Sequence, residues 1–261
     1  MSRPDPNPNR EPRVALVSGA SSGIGAAVAL ALGRLGWPVA LGARRTARLE
    51  EVARGVEAAG GKAFAHVLDV REPASVHAFV DAVESRLGAV EVAVSNAGAA
   101  VAGTLPEVAV EALRSELDTN LLGPMLLVRR LLPGMLERRR GDLCFVSSLN
   151  AVVPRPLQAG YTAGKAGLEA MARVLQMELE GSGVRASIVR PGPSRTEMGW
   201  DWPPAQQQRV VESWRRWGIL RHQHFLPPEA VAEAVVAAVT AAPGVHLDLT
   251  QVNPEKPPEA D

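Results

Sequence analysis

Tyr161 and Lys165 stand four residues apart in Tyr161-Thr162-Ala163-Gly164-Lys165; they are the chain's single tyrosine and one of its three lysines. In a helix, positions i and i+4 share a face, so this phenol and this ammonium should point the same way. An ammonium beside a phenol favours the phenolate and should bring the pKa down from its usual ~10, making Tyr161 a proton donor and acceptor near neutral pH. Upstream, Ser148 closes the run Phe145-Val146-Ser147-Ser148. A hydroxyl at a strand end can hold a substrate oxygen while negative charge develops on it. Together the three groups suit proton transfer at a carbonyl or carbinol oxygen.

Separately, the N-terminal region offers a seat for a dinucleotide. Val14-Ala15-Leu16-Val17 runs into Ser18-Gly19-Ala20-Ser21-Ser22-Gly23-Ile24-Gly25 and then an Ala-rich helical pattern. Gly19 lets the chain turn off a strand, Gly23 lets the backbone approach a pyrophosphate, and Gly25 lets the helix pack close to the sheet. The anion would lie at a helix N-terminus, where free N–H groups and the dipole favour negative charge. The spacing is G-x-x-x-G-x-G, and taken alone it would equally serve a tight strand–helix connection. About 20 residues further on, NAD enzymes carry an acid for the ribose 2′-hydroxyl. Here the second strand ends in Ala43-Arg44-Arg45, with no acid. Two guanidinium groups suit a 2′-phosphate, so the expected cofactor is NADPH/NADP+.

Positioning these groups requires a particular architecture. Short apolar runs alternate with helical patterns from Arg13 onward, which predicts an α/β fold. The expected form is a Rossmann-type doubly wound sheet of seven mainly parallel strands, with helices on both faces and a lid insert. Strands are expected at 13–18, 38–43, 63–68, 90–94, 142–147, 185–190 and 245–249. Helices are expected at 23–36, 46–59, 73–87, 107–139, 160–182 and 228–241. Residues 1–12 read as a disordered N-terminal tail, 13–250 as a single catalytic domain and 251–261 as a C-terminal tail. The Pro- and Trp-rich stretch at about 193–227 breaks the rhythm and reads as a substrate lid.

The 261 residues carry 28 basic and 28 acidic side chains, so neither nucleic acid nor an anionic membrane is expected as a partner. One cysteine, Cys144 in an apolar run, excludes an internal disulfide and a cysteine-built metal site, and no metal is expected. The sequence has no secretory signature and no apolar run of ~18 residues, so a cytoplasmic location is expected.

Seven short motifs occur in order: SGASSGIG at 18–25, LDV at 68–70, NAG at 96–98, Asn120 in DTNLLG, SS at 147–148, YTAGK at 161–165 and RPGPSRT at 190–196. By these the sequence resembles the short-chain dehydrogenase/reductase family, in its single-domain branch, across nearly the whole chain. The resemblance implies that Tyr161 is the general acid in reduction and that Lys165 tunes it and binds the nicotinamide ribose. It implies that Ser148 polarises the carbonyl and that Asn120 holds a water in a proton relay. It further implies a cofactor lined by Gly19, Ser21, Ser22, Gly23, Ile24, Gly25, Arg44 and Arg45. Asp69 and Val70 would meet the adenine, Asn96, Ala97 and Gly98 would line the groove, and Pro191, Gly192 and Thr196 would meet the nicotinamide. Asn96 and Asn120 could instead serve mainly as structural brackets. Ser18 stands where the family more often has Thr, and Gly164 where it more often has Ser.

On the substrate side the expected residues are Ser148, Asn150, Tyr161, Pro193, Met198, Trp200, Trp202 and Trp214. Tryptophans offer broad apolar faces, which suits a bulky hydrophobic or polycyclic aromatic ketone, though they would also glue a lid to the sheet. The lid resembles that of ketoreductases that tailor aromatic polyketides, the angucycline type among them. Arg195, Arg215, Arg216 and Arg221 are expected to face water. In the family, helices like 107–139 and 160–182 pair between subunits, implying a homodimer or homotetramer; Leu168, Met171, Leu175 and Leu179 fit such a face or an intrachain core. The expected function is an NADPH-dependent ketoreductase acting on a small-molecule ketone, with an NAD-linked alcohol dehydrogenase or a catalytically silent dinucleotide-binding regulator as alternatives.

Overall fold

Apolar runs such as Ala15-Leu16-Val17 and Leu143-Cys144-Phe145-Val146 are buried on both faces, as strands flanked by helices must be. The computed structural model describes residues 7, 9, 11–219, 222 and 224–256. Its strands are β1 (Ala15–Ser18), β2 (Pro38–Ala43), β3 (Lys62–Val67), β4 (Val92–Ser95), β5 (Gly141–Val146), β6 (Val184–Pro191) and β7 (Leu249–Val252). Its helices are α1 (Gly23–Arg34), α2 (Thr46–Ala58), α3 (Pro73–Leu87), α4 (Val110–Leu117), α5 (Gly123–Glu137), α6 (Ala159–Glu178), α7 (Pro204–Arg216) and α8 (Pro228–Val239). The seven strands form one sheet in the order β3-β2-β1-β4-β5-β6-β7, every pairing parallel.

The pleat sends alternate residues into two cores. On one face Leu16, Ala93, Leu143, Phe145 and Ile188 meet α3, α5 and α6. On the other, Val17, Leu41, Val94, Cys144 and Val189 meet α1, α2 and α8. Cys144 is wholly buried, which pushes its thiol up to about 12 and leaves it inert.

Three expectations need correction, and one open alternative is decided. The seventh strand runs Leu249–Val252, not 245–249, so the tail expected from 251 begins inside a strand. Its register is set by pairing with β6, Ile188 against Leu249 through Pro191 against Val252, which a local pattern cannot specify. The single helix expected over 107–139 is broken by a π-helical turn at Asp118–Leu122. Pro124 has no N–H to give the carbonyl of Asn120 four residues back, and the Gly123 N–H reaches Asp118 instead. Of the two alternatives for Leu168, Met171, Leu175 and Leu179, the intrachain core holds: the three leucines belong to it and Met171 packs against it. Finally, the disorder expected for 1–12 falls partly outside the described residues, but Asn7 and Asn9 are tied down, their amides donating to the carbonyls of Thr240 and Ala241.

Candidate active site

Strand order reverses between β1 and β4, and the cleft opens just past their carboxyl ends, at Gly19 and Asn96. The turn from β1 to α1 forms one wall. Gly19 has φ +68°, a left-handed conformation that glycine adopts without penalty. A side chain at Gly25 would collide with the Gly19 carbonyl, so the helix start and the turn are packed backbone to backbone. Ser18 holds the opposite wall: the N–H groups of Asn96 and Ala97 donate to its hydroxyl at 3.0 and 3.1 Å, and the Asn96 amide donates to its carbonyl at 3.1 Å. Ser in place of Thr therefore keeps the bracket.

At the far end, Arg45 donates to the hydroxyls of Ser21 and Ser22 at 3.0 and 2.7 Å. It also pairs at 2.8 Å with Glu197, which Arg48 grips from the other side. The two guanidinium groups hold the Glu197 carboxyl down at about 2. Asp69 is held by Arg71 at 2.6 Å, and that hydrogen bonding lowers its pKa.

The other end is built by β5 and α6. β5 delivers Ser147 and Ser148. Ser147 donates to Glu169 at 2.7 Å, and Arg190 closes a buried ion pair on the same carboxylate at 2.5 Å. Ser148 caps the 3₁₀ turn Leu149–Ala151, accepting from the Asn150 N–H at 3.2 Å. Tyr161 and Lys165 lie one turn apart on α6, both buried, the ammonium 5.9 Å from the phenol ring centre. The ammonium donates to the Val146 carbonyl at 2.8 Å. Burial pushes the Lys165 pKa down to about 8, partly offset by the Glu169 charge.

The expectation that Lys165 depresses the Tyr161 pKa does not hold. Burial pushes the phenol above its ordinary value; hydrogen bonding from Ser148 and the charge of Arg155 pull it back, and Glu116 adds to the rise. Both members of the pair are desolvated, and the ammonium is already engaged on a backbone carbonyl. The cation acting on the phenol is one that sequence spacing did not suggest.

All the residues expected at the site except Gly25 and Asn120 line one cleft of about 630 Å³. Gly19, Ser21, Ser22, Gly23, Ile24, Arg44, Arg45, Asp69 and Val70 form one end. Asn96, Ala97, Gly98, Lys165, Pro191, Gly192 and Thr196 follow. Ser148, Asn150, Tyr161, Pro193, Met198, Trp200, Trp202 and Trp214 surround the far mouth. Asn120 is fully buried behind the wall, its amide donating to the Ala99 carbonyl at 2.7 Å and accepting from the Ala99 N–H at 3.1 Å. Its side chain is thus committed to bracketing the loop after β4. Trp217 is 69% exposed and lies outside the cleft. Arg195, Arg215 and Arg216 are exposed as expected, and Arg221 lies outside the described residues.

Three residues at the site escaped sequence reading. Arg155, buried at 8% exposure, lines the cleft and stacks on Trp214. Glu116 is buried against the Val101 N–H at 2.7 Å, and burial raises its pKa. Glu197 clasps the cofactor end to the lid. Pro154-Arg155-Pro156, just upstream of Tyr161, carried a visible signal in its stiffness; the two glutamates carried none.

A family model described as short chain dehydrogenase matches residues 13–207. A short chain dehydrogenase of Pseudocercospora fijiensis is 38% identical over 190 residues, which cover 72% of this chain and 61% of that protein. The ketoacyl reductase HetN of a Nostoc species is 34% identical over 228 residues, 87% of this chain and 75% of HetN. Among solved structures, a variant of actinorhodin polyketide ketoreductase with NADPH superposes with a TM-score of 0.80 at 30% identity, covering 94% of this chain and 97% of that one.

Proposed function

This chain belongs to the short-chain dehydrogenase family, and on that premise we propose that it is an NADPH-dependent ketoreductase that reduces a carbonyl of a bulky hydrophobic or polycyclic aromatic small molecule. One observation carries the reading: Ser148, Tyr161 and Lys165 meet in the same cleft as the glycine turn, Arg44 and Arg45. The cleft fits a phosphorylated dinucleotide. Its α1 end presents the free N–H groups of a helix start. Ser21, Ser22 and the exposed Arg44 and Arg45 offer donors for a 2′-phosphate, where a carboxylate would repel it. NADP(H) is accordingly the proposed cofactor, and when bound it supplies the hydride.

The chain's own groups would do the rest. Ser148 donates a hydrogen bond to the carbonyl oxygen and orients it. Tyr161 gives its proton to that oxygen as charge develops. Lys165, with a pKa near 8, holds the dinucleotide's ribose and returns a proton to the phenol. Asn120 fixes the loop after β4 that backs this arrangement. Aromatic polyketide tailoring, as part of secondary metabolism in the cytoplasm, is the proposed setting; the similarity to a polyketide ketoreductase and the tryptophan-lined mouth support it. Among the described residues no helix is long and apolar enough to cross a membrane. A homodimer or homotetramer is proposed with it: Leu122, Met125, Val174 and Met177 on α5, α6 and the π-helical turn stay exposed, and light scattering tests the pairing.

The deciding experiment follows NADPH absorbance with polycyclic quinone-ketones and with small aliphatic ketones. Preference for the polycyclic compounds, and for NADPH over NADH with loss of that preference in Arg44→Asp, is the expected result. Faster turnover of the small ketones would overturn the substrate reading. Equal use of NADH would overturn the cofactor reading.

A further inference from the structure

Arg155 is a buried cation with no counter-charge among the described residues. The other two buried arginines each have one: Arg13 pairs with Asp142 at 2.6 Å and Arg190 with Glu169 at 2.5 Å. Arg155 is 8% exposed, its Nε has no hydrogen-bond partner among the described residues, and its guanidinium lies 4.3 Å over the ring of Trp214. The indole N–H of Trp214 is also buried and unpartnered. Both side chains line the cleft near Tyr161. Burying an ion or a donor without a partner is strongly unfavourable, so such groups persist where a ligand completes them.

The backbone holds Arg155 stiffly. Prolines at 154 and 156 restrict it on both sides. Leu157 follows with φ +64°, a strained conformation for a side chain of its kind, pinned by a hydrogen bond from the Gly103 N–H to its carbonyl at 2.9 Å. These restraints set the backbone from which Arg155 extends, and the stacking on Trp214 places its guanidinium. Two donors, a positive charge and no acceptor call for a ligand that brings acceptors and negative charge. The cofactor's phosphates have their own donors at the other end of the cleft, at the glycine turn, Arg44 and Arg45.

We propose that Arg155, with the Trp214 N–H, recognises a carboxylate carried by the substrate a few bonds from its reducible carbonyl, so that the substrate is a bulky keto acid and not a neutral ketone. This assignment rests on the ketoreductase reading and narrows it. The stacking on Trp214 holds the orientation of the planar guanidinium fork, and the apolar lid would surround the rest of the molecule.

The test compares naphthoylpropionate, an aryl keto acid, with its methyl ester as substrates of the protein with NADPH. The acid is expected to exceed the ester in kcat/KM by about tenfold to a hundredfold, mainly through KM, the range of a charge-assisted hydrogen bond. Arg155→Gln should cut that ratio at least tenfold, Arg155→Lys should retain part of it, and Trp214→Phe, which keeps an aromatic face without the N–H, should lower it less than Arg155→Gln does. Equal kcat/KM for acid and ester in the parent, or a ratio unchanged in Arg155→Gln, would overturn the assignment. Calorimetric binding of naphthoylpropionate and of the ester to the NADP+-loaded parent and Arg155→Lys reads the same contrast without turnover and without relying on the Gln variant folding. Binding of the acid with reduction of neither probe counts against the ketoreductase reading, whereas reduction of both at equal efficiency counts against Arg155 alone.

Discussion

The floor of the cleft and its lid are built by opposite means. The floor, β5 and α6, rests on two-sided burial: Tyr161 and Lys165 are 9% and 3% exposed, and beneath them the Ser147–Glu169–Arg190 network is closed. The described residues of the lid, 193–219, 222 and 224–227, are held by the Trp214–Arg155 stack and, around it, by hydrogen bonds and exposed ion pairs. Trp202 donates to the Ala100 carbonyl at 3.3 Å, Gln206 donates to the Ala102 carbonyl, Arg209 pairs with Glu107 at 3.0 Å, and Glu197 pairs with Arg45 and Arg48. Of the residues of α7 only Val210 is buried. Core burial fixes side chains to within a rotamer, whereas solvent-exposed ion pairs are individually weak and screened by salt. Catalytic groups therefore sit where geometry is rigid, and the surfaces that must admit a ligand sit where attachment is cheap to break.

Tyr161→Phe probes the floor most severely. Removing the proton donor should lower kcat by about a hundredfold to ten-thousandfold with NADPH binding little changed; NADPH oxidation and fluorescence titration check it. A modest loss would mean the floor is not the chemical centre.

Stability separates the two regions next. Leu168→Ala, two turns beyond Tyr161 on α6 and 1% exposed, should cost about 2–5 kcal/mol. Trp217→Ala, on the exposed side of the lid, should stay within about 0.5 kcal/mol. Urea midpoints measure both, and similar values would dissolve the contrast.

Titration sharpens it further. The folded-state pKa of Lys165 lies near 8, below its ordinary 10.5, so the buried ammonium is disfavoured at lower pH. Between those values the unfolded chain keeps a proton that the folded protein has released, and stability rises with pH across that window. Lys165→Met should lack this contribution. Since Cys144 and Tyr161, both raised by burial, act in the opposite sense at high pH, the difference between parent and variant is the quantity to follow.

The smallest expected effect is at the clasp. Glu197→Gln frees Arg45, and NADPH affinity should rise by about twofold to fivefold at low salt and converge with the parent at high salt. An affinity gain that ignores ionic strength would show that the clasp is not electrostatic.

Much of the molecule follows from the sequence because its signals are local. The glycine turn, the alternation of apolar runs and helical patterns, and the one-turn spacing of Tyr161 and Lys165 each depend on neighbours within a few residues. Hence the sheet, its parallel sense and the order of its elements are readable, and so are most of the residues that gather in the cleft, Arg155 and Glu197 excepted. What only the tertiary structure decides depends on partners far along the chain. The β7 register comes from β6, the commitment of Asn120 to Ala99 from a loop twenty-one residues away, and the clasp of Glu197 by Arg45 from residues 152 apart. The environment of Tyr161 is the clearest case. Spacing placed a lysine beside it, but burial, a property of the whole fold, raised its pKa, and the countering charge came from Arg155 in an adjoining loop. Desolvation and long-range charge are sums over everything packed nearby, and no local pattern encodes them.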